Sequence, residues 1–539
     1  MKKIPTRLRD LIKKSESGSF LSSFQVARIY ESGIGGVDKN HDTAAKYYQM
    51  TVDQVKNDRL SISSIKLVNY KGFNDFTIDF ARDLTVIIGN NGGGKSSILD
   101  AVRKALSHLT SRIATRSANG EDIELHEIKK GSHFSTIVVS FNFSGEVFSA
   151  ELSQSDTLAG TTKKSDYEGI NLLGSILKLC SNNNPKFHLP ILASYTVDRS
   201  IDVTTKDIDK SEEILDDYIW DRASSYKKSL TGKADFRLFF RWFKELTEER
   251  NSSSTEKNKI NEEIKAKEKF LNSSELKNLM KHSTGNTEIE DYVRKLMNDI
   301  EDLKRSINES SMNEDVVLDN VKSAIYSFLP GFSNMKIQRK PLDLIIEKDG
   351  ISLSVLQLSQ GEKSLLALVA DIARRLTILN PSHEDPLKGP GIVTLDELDL
   401  HLHPSWQQLV LSRLKETFPN VSFIVTTHSP QICHTVESDK IWLLRDWKKF
   451  RAPKGAKGAV SSWVLKELFD VPVRPPHDEI TIAYKKYREL VYADKFSDTE
   501  TLNLRKKLDE NFGHNHPDFV ELDLYIENRK WEQELEKDS

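Results

Sequence analysis

Between positions 89 and 96 the chain reads Gly89-Asn90-Asn91-Gly92-Gly93-Gly94-Lys95-Ser96, which satisfies G-x-x-x-x-G-K-[ST]. Glycines at this density let successive backbone N–H groups wrap a phosphate, and a helix that opens behind the loop adds the partial positive charge of its N-terminus. At this spacing Lys95 reaches the β and γ phosphates of a nucleotide. Ser96, with Ser97 beside it in the same site, offers a hydroxyl to Mg2+. Farther along, Ile392-Val393-Thr394-Leu395-Asp396-Glu397 is an apolar run that ends in two carboxylates. Asp396 is placed to hold Mg2+ through water, and Glu397 to polarise an attacking water as general base. Alone, such a pair is an ordinary acidic strand end. Beside a phosphate loop it is the second half of a site for ATP binding and hydrolysis.

These residues need elements to position them. Residues 84–88 form a short apolar run of the kind buried in parallel sheets, and a helix is expected over 96–109, directly behind the loop. After Pro330 the pattern predicts strands at 341–349, 391–396 and 421–427 and helices at 361–379 and 404–417. Alternating strands and helices imply an α/β fold with a doubly wound parallel core. Further strands are expected at 62–68, 76–80 and 136–143, and another apolar run spans 189–195.

The chain divides by composition. Residues 1–58 place small and aromatic residues around a Gly-rich turn (Gly33, Gly36) between two short helices. The pattern resembles one Sel-type repeat, a relative of the tetratricopeptide repeat. It reads equally as a hairpin packed on the ATPase or as a docking surface, since one such unit does not bury its own face. An N-lobe carrying the phosphate loop spans 59–235. Residues 236–315 are polar, Lys/Glu-rich and poor in Gly and Pro. There Ile289, Val293, Leu296, Ile300, Leu303 and Ile307 recur at alternating steps of four and three, a heptad seam. Ile260, Ile264 and Leu271 lie on an incoming arm, and Ser283-Thr284-Gly285-Asn286 suits a tip, so a short antiparallel coiled-coil hairpin is expected. A C-lobe covers 316–450, and 451–539 reads as mainly helical and charged.

Of the 539 residues, 38% are hydrophobic and 29% charged, and the formal net charge is −3, as in globular proteins with a sizeable core. No basic excess announces nucleic acid, so any such contact comes from a local patch or a partner. Cys180 and Cys433 stand apart from any C-x-x-C and fit a reducing cytoplasm. The basic N-terminus lacks the apolar stretch of a secretory signal, and no run approaches a membrane span; the best, 365–379, is broken by Asp371, Arg374 and Arg375.

Three weaker signals complete the pattern. Leu358-Ser359-Gln360-Gly361-Glu362 precedes a long helix, where Ser359 and Glu362 have capping-box spacing and the free N–H groups also suit an anion. Asp399 follows Asp396 by three residues. His428 follows the strand 421–427. Each alone is a cap or a polar loop residue. Taken in order, the set resembles the ABC-type ATPases: P-loop, signature, Walker B with the D-loop aspartate Asp399, and switch histidine His428. The resemblance implies that Ser359 and Gly361 bind the γ-phosphate held by an opposite, head-to-tail copy, and that His428 senses that phosphate. Gln360 stands where the signature more usually has Gly. The long insertion between P-loop and signature resembles the SMC, RecF and OLD branch rather than transporters. Lys71, in Asn69-Tyr70-Lys71-Gly72-Phe73, aligns with a nucleotide-facing basic position of that branch. No clear Q-loop is present; Gln154 is a weak candidate.

The full set is most similar to PtuA, the ATPase family of Septu-type antiphage defence systems, in its retron-associated version. That resemblance implies a regulatory ATPase whose partners are an HNH endonuclease (PtuB), a reverse transcriptase and its RNA-linked single-stranded DNA. A stand-alone RecF-like DNA-repair ATPase is the alternative. The chain itself carries no expected nuclease site. His514-Asn515-His516 spells HNH, but the residues of such nucleases are not contiguous. His401 and His403 suit a loop beside Walker B better than a metal site. No C-x-x-C interrupts the coiled coil, and the C-terminal third lacks the acidic pattern of a Toprim nuclease.

Overall fold

The computed structural model describes residues 5–56, 59–115, 120–156, 163–197, 221–234, 236–271, 273, 295–297, 299–300, 317–514 and 516–538. The chain splits into two compact units, Met1–Gly458 and Ala459–Ser539.

The first unit is built on a six-stranded sheet. Its strands, numbered in chain order, are β3 (Leu84–Gly89), β6 (Ile191–Tyr195), β10 (Gly391–Leu395), β11 (Val421–Thr426), β12 (Ile441–Arg445) and β13 (Lys448–Arg451), in the spatial order β13-β12-β3-β11-β10-β6. All neighbours are parallel except the edge pair β12–β13. The strand β3 has partners on both sides, helix α4 (Lys95–Ala114) packs against it and its residues 84–88 are all buried, which is why 84–88 is an unbroken apolar run rather than an alternating one. Parallel pairing also brings the C-terminal ends of β3, β10 and β11 to one edge of the sheet, where ligands bind in open α/β folds.

A second, antiparallel sheet has the order β2-β1-β4-β5, formed by β1 (Ser61–Val68), β2 (Asp75–Asp79), β4 (Phe134–Phe143) and β5 (Glu146–Ser155). Helix α4 (Lys95–Ala114) packs against both sheets, touching β4 of one and β3, β6, β10 and β11 of the other. This accounts for burial around most of its circumference, from Ile98 through Ile113. Gln154 lies in β5 opposite Ser135, inside the antiparallel sheet.

Helices α1 (Thr6–Glu16), α2 (Phe20–Ser32) and α3 (His41–Gln54) precede the sheets, and the Gly33–Gly36 turn joins α2 to α3. Helix α5 (Glu168–Asn183) precedes β6, and the long helix α6 (Phe236–Leu271) follows it. Most of the heptad arm 289–307 and the tip 283–286 lie outside the described residues. Within them, Ile264 and Ile300 are both buried, and Lys267 Nζ lies 3.6 Å from Asp299. A three-stranded meander, β7 (Phe332–Arg339), β8 (Leu342–Lys348) and β9 (Ile351–Ser354), leads into α7 (Gln360–Leu379).

One local expectation changes, and one run of charges turns out to be buried. The helix expected over 404–417 is two, α8 (Pro404–Gln407) and α9 (Val410–Thr417), because the Leu409 N–H bonds to Trp406 O at 3.0 Å, three residues back, and turns the chain at 408–409; the Gln407 side-chain amide donates to Asp399 O at 3.2 Å and Leu402 O at 2.8 Å. The charges that interrupt 365–379 do not mark an exposed face. Asp371, Arg374 and Arg375 are fully buried, paired at 2.6 and 2.8 Å, and bonded onward to Tyr195.

After the short helix α10 (Pro430–Cys433) of the first unit, the second unit holds α11 (Ser461–Glu467) and three helices, α12 (Glu479–Tyr492), α13 (Thr499–Phe512) and α14 (Pro517–Asp538), that pack around Tyr487, Val491, Leu508 and Phe519. His514 and His516 each lie beside an aspartate, Asp509 and Asp518, and no metal-binding group of His, Cys, Asp or Glu occurs among the described residues. No described helix is long and apolar enough to cross a membrane.

Candidate nucleotide site

The loop 89–94 leaves the end of β3 and turns into α4. Gly94 has φ +95, and a Cβ there would run into Phe73, so only glycine closes this turn. Lys95 opens the helix, and its ammonium donates to Gly89 O at 2.9 Å and Asn90 O at 3.1 Å, across the mouth of its own loop. Asn90, Asn91, Gly92 and Ser96 are exposed there, with Gly93 and Ser97 half-buried.

Asp396 and Glu397 follow β10 on the same edge. Asp396 is buried, and its backbone N–H donates to Tyr195 O at 2.9 Å. One hydroxyl organises the pair: Thr426 Oγ1 at the end of β11 donates to Asp396 Oδ1 and accepts from Glu397 N at 2.8 Å. Glu397 sits at φ +47, an uncommon conformation for a residue with a side chain, and this hydroxyl helps hold it there. Asp399 Oδ1 accepts from Thr427 Oγ1 at 2.6 Å and from His428 N at 3.2 Å, tying the loop after β10 to the loop after β11.

The electrostatics follow from this crowding. Burial lowers the Lys95 pKa, opposed by Asp396, Glu397 and Asp399. Burial and the Lys95 charge hold His428 below its ordinary value, so its imidazole is neutral at pH 7. His428 Nε2 is buried with no hydrogen-bond partner. An orphaned imidazole nitrogen, a buried ammonium and a glycine cradle fit a polyphosphate, and Ser96 and Asp396 supply the oxygen donors that Mg2+ takes.

The signature residues stand elsewhere. Ser359 caps α7: its hydroxyl donates to Glu362 Oε2 at 2.7 Å and accepts from Glu362 N at 3.4 Å, and Lys348 pairs with the same carboxylate at 2.6 Å. A Cβ on Gly361 would overlap the carbonyl of His401, so the signature and the loop 399–403 pack backbone to backbone. Together with Trp406 they line an open cavity of about 570 Å³. Among the described residues no hydrogen bond or ion pair joins Ser359 or Gly361 to the P-loop. Lys71 is turned onto α4: its ammonium lies 2.6 Å from Asp100 and 3.3 Å from Glu127. His403 accepts from Ser405 at the start of α8.

Sequence reasoning missed Thr426, Tyr195 and Gln407, which position the carboxylates and loops. Nothing in the sequence marks them except their adjacency to motifs. It also missed the strands β12 and β13, whose turn carries Trp447 against the P-loop.

A P-loop at the end of a central parallel strand, with two carboxylates and a neutral histidine from neighbouring strands, defines a P-loop ATPase. The family model described as AAA ATPase domain matches residues 61–433. Retron Ec83 probable ATPase of Escherichia coli is 48% identical over 537 residues, 99% of each chain. Retron Vc95 probable ATPase of Vibrio cholerae serotype O1 biovar El Tor is 31% identical over 521 residues, 94% of this chain and 97% of the relative. Septu protein PtuA of Bacillus mycoides (strain KBAB4) is 34% identical over 137 residues, 23% of this chain and 19% of the relative. The chain belongs to the AAA ATPase domain family, in its retron-associated branch.

Proposed function

We propose that this chain is the ATP-hydrolysing regulatory subunit of a retron/Septu-type antiphage complex, which controls a partner HNH endonuclease through a nucleotide-sandwich dimer. The observation that carries the dimer is the division of the site. The P-loop, Asp396, Glu397 and His428 converge on one edge of the sheet, whereas Ser359 and Gly361 form a separate face with, among the described residues, no bond to that loop. A complete site then needs the signature face of a second copy against the P-loop of the first. The defence setting rests on the full-length likeness to proteins named as retron ATPases and the partial likeness to a Septu protein.

In this reading the P-loop N–H groups and Lys95 bind the β and γ phosphates. Ser96 and Asp396 hold Mg2+, which when bound neutralises phosphate charge. Glu397 orients the attacking water, and neutral His428 offers Nε2 to the γ-phosphate. Ser359 and Gly361 of the opposite copy close the site, and Asp399 fixes the loops between them. Residues 1–58 serve as a docking segment for a partner.

The test is co-purification of tagged wild type and Lys95→Ala from cells carrying the neighbouring genes, with mass measured by light scattering with and without ATP. Recovery of an HNH protein, with or without a reverse transcriptase and its nucleic acid, is expected, as is an ATP-dependent mass increase that Lys95→Ala lacks. A chain that emerges alone and grips duplex DNA with ATP sinks the defence reading in favour of a RecF-like repair ATPase. A mass unchanged by ATP sinks the sandwich.

A further inference from the structure

The strands β12 and β13 are joined by two residues, Asp446 and Trp447, with φ of 48° and 61°. A two-residue hairpin with both central φ positive is the type I′ arrangement, whose second position belongs to glycine in most proteins. A tryptophan in that position strains the backbone, and the hairpin alone gives no reason for it. What the turn achieves is to aim the indole at the P-loop.

The six-membered part of the indole lies on Gly72, where a Cβ would overlap it, and against Gly94, the residue before Lys95. Phe73 meets it edge to face, with ring centroids 5.0 Å apart and planes at 89°. Gly72 lies in the β1–β2 loop, whose Lys129 contact at 3.0 Å through Gly72 O holds it in place. Two glycines and a phenylalanine thus form a mount for one ring. Yet Trp447 remains 38% exposed. A residue serving only to fill space between these loops would be covered. This one is left partly uncovered beside the phosphate loop.

A triphosphate gripped by residues 89–96 must carry its ribose and base out of that loop. An exposed aromatic ring there is a stacking platform for a purine or pyrimidine, whose flat faces gain most of their binding from such contact. We infer that Trp447 is the nucleobase platform of the site, supplying affinity for the base where the P-loop supplies affinity for the phosphates. This deepens the nucleotide reading and rests on it.

The experiment separates the two halves of the ligand. Binding of Mg-ATP and of Mg-tripolyphosphate, which has phosphates but no base, is measured by calorimetry on full-length wild type, Trp447→Ala and Trp447→Phe. Stacking predicts ATP binding weakened about 5- to 100-fold in Trp447→Ala. Tripolyphosphate binding should stay within about two-fold, and Trp447→Phe should recover most of the ATP affinity. Equal weakening of both ligands would show Trp447 to be a structural prop for the P-loop, and no weakening of either would leave it without a role in binding; each overturns the inference. If Trp447→Ala does not fold, ATP-induced quenching of tryptophan fluorescence in wild type must disappear in Trp447→Phe; persistence of the quench overturns the inference equally. Failure of wild type to bind either ligand overturns the nucleotide reading itself.

Discussion

Thr426→Val tests the arrangement of the two carboxylates most directly. The threonine is fully buried, and valine matches its shape while removing the hydroxyl. That hydroxyl serves Asp396 Oδ1 as donor and Glu397 N as acceptor, so the substitution takes one hydrogen bond from each of these two groups. Each such loss costs about 1–3 kcal/mol, which puts the total loss of stability at roughly 2–6 kcal/mol. The effect on turnover is larger than the fold change suggests. Glu397 is held at φ +47, and a shift of about 1 Å in its carboxylate lowers kcat by about 100-fold. The P-loop makes no contact with Thr426 that the substitution removes, so the Kd for ATP should change by less than about three-fold, a difference of under 1 kcal/mol. Steady-state hydrolysis and equilibrium ATP binding, with Thr426→Ser as the hydroxyl-retaining control, give the answer. A folded Thr426→Val protein with wild-type kcat would refute the view that this hydroxyl sets the carboxylate geometry.

Other outcomes follow from the same structure. Glu397→Gln keeps the hydrogen-bonding shape but loses the base, so single-turnover hydrolysis should fall by about 100- to 10,000-fold while ATP still binds; unchanged hydrolysis removes Glu397 from that role. Gly361→Ala forces a Cβ into the His401 carbonyl, and the displaced signature should destabilise the first unit by about 1–3 kcal/mol and lower ATPase activity, read by denaturant melts and turnover. A Gly361→Ala protein as stable and active as wild type contradicts that packing. His188 stacks on His383 with ring centroids 3.5 Å apart, and burial, then His383 and Arg222, push its pKa down to about 4. The unfolded chain takes up that proton near the ordinary histidine value of about 6.5, so between there and about 4 the unfolded state binds more protons and stability falls as pH drops. Lys186 and Arg222 also act on the neighbouring His383 in the same cluster. His188→Gln should flatten that slope in urea melts across this range, and an unaltered slope assigns the acid sensitivity to other groups.

What the sequence by itself determined was the chemistry that is carried by short contiguous runs. A loop such as Gly89–Ser96 must bring its N–H groups together whatever surrounds it, because its geometry is local. The apolar run ending in Asp396 and Glu397 likewise declares both a buried strand and its polar tip. Ser359 and Glu362 form their capping box within one turn. Fold class followed from the same local periodicities, which alternate between strand and helix along the C-lobe.

Only the tertiary structure decided which of these runs meet. The parallel order β12-β3-β11-β10 sets P-loop, carboxylates and His428 on one edge, and no residue type announces that order. Thr426 matters because β11 lies beside β10, and Tyr195 because β6 lies on its other side; in the sequence both are ordinary strand residues. Charges in 365–379 read as an interruption of an apolar helix, yet Asp371 pairs with both Arg374 and Arg375 in the interior, since a buried ion is tolerated when its partners are buried with it. Lys71 pairs with Asp100 and Glu127, because α4 presents Asp100 to it, a pairing that no local pattern announces. Trp447 is the extreme case. A turn of the chain far from the P-loop in sequence delivers an aromatic ring to its rim, a placement that strand pairing alone produces.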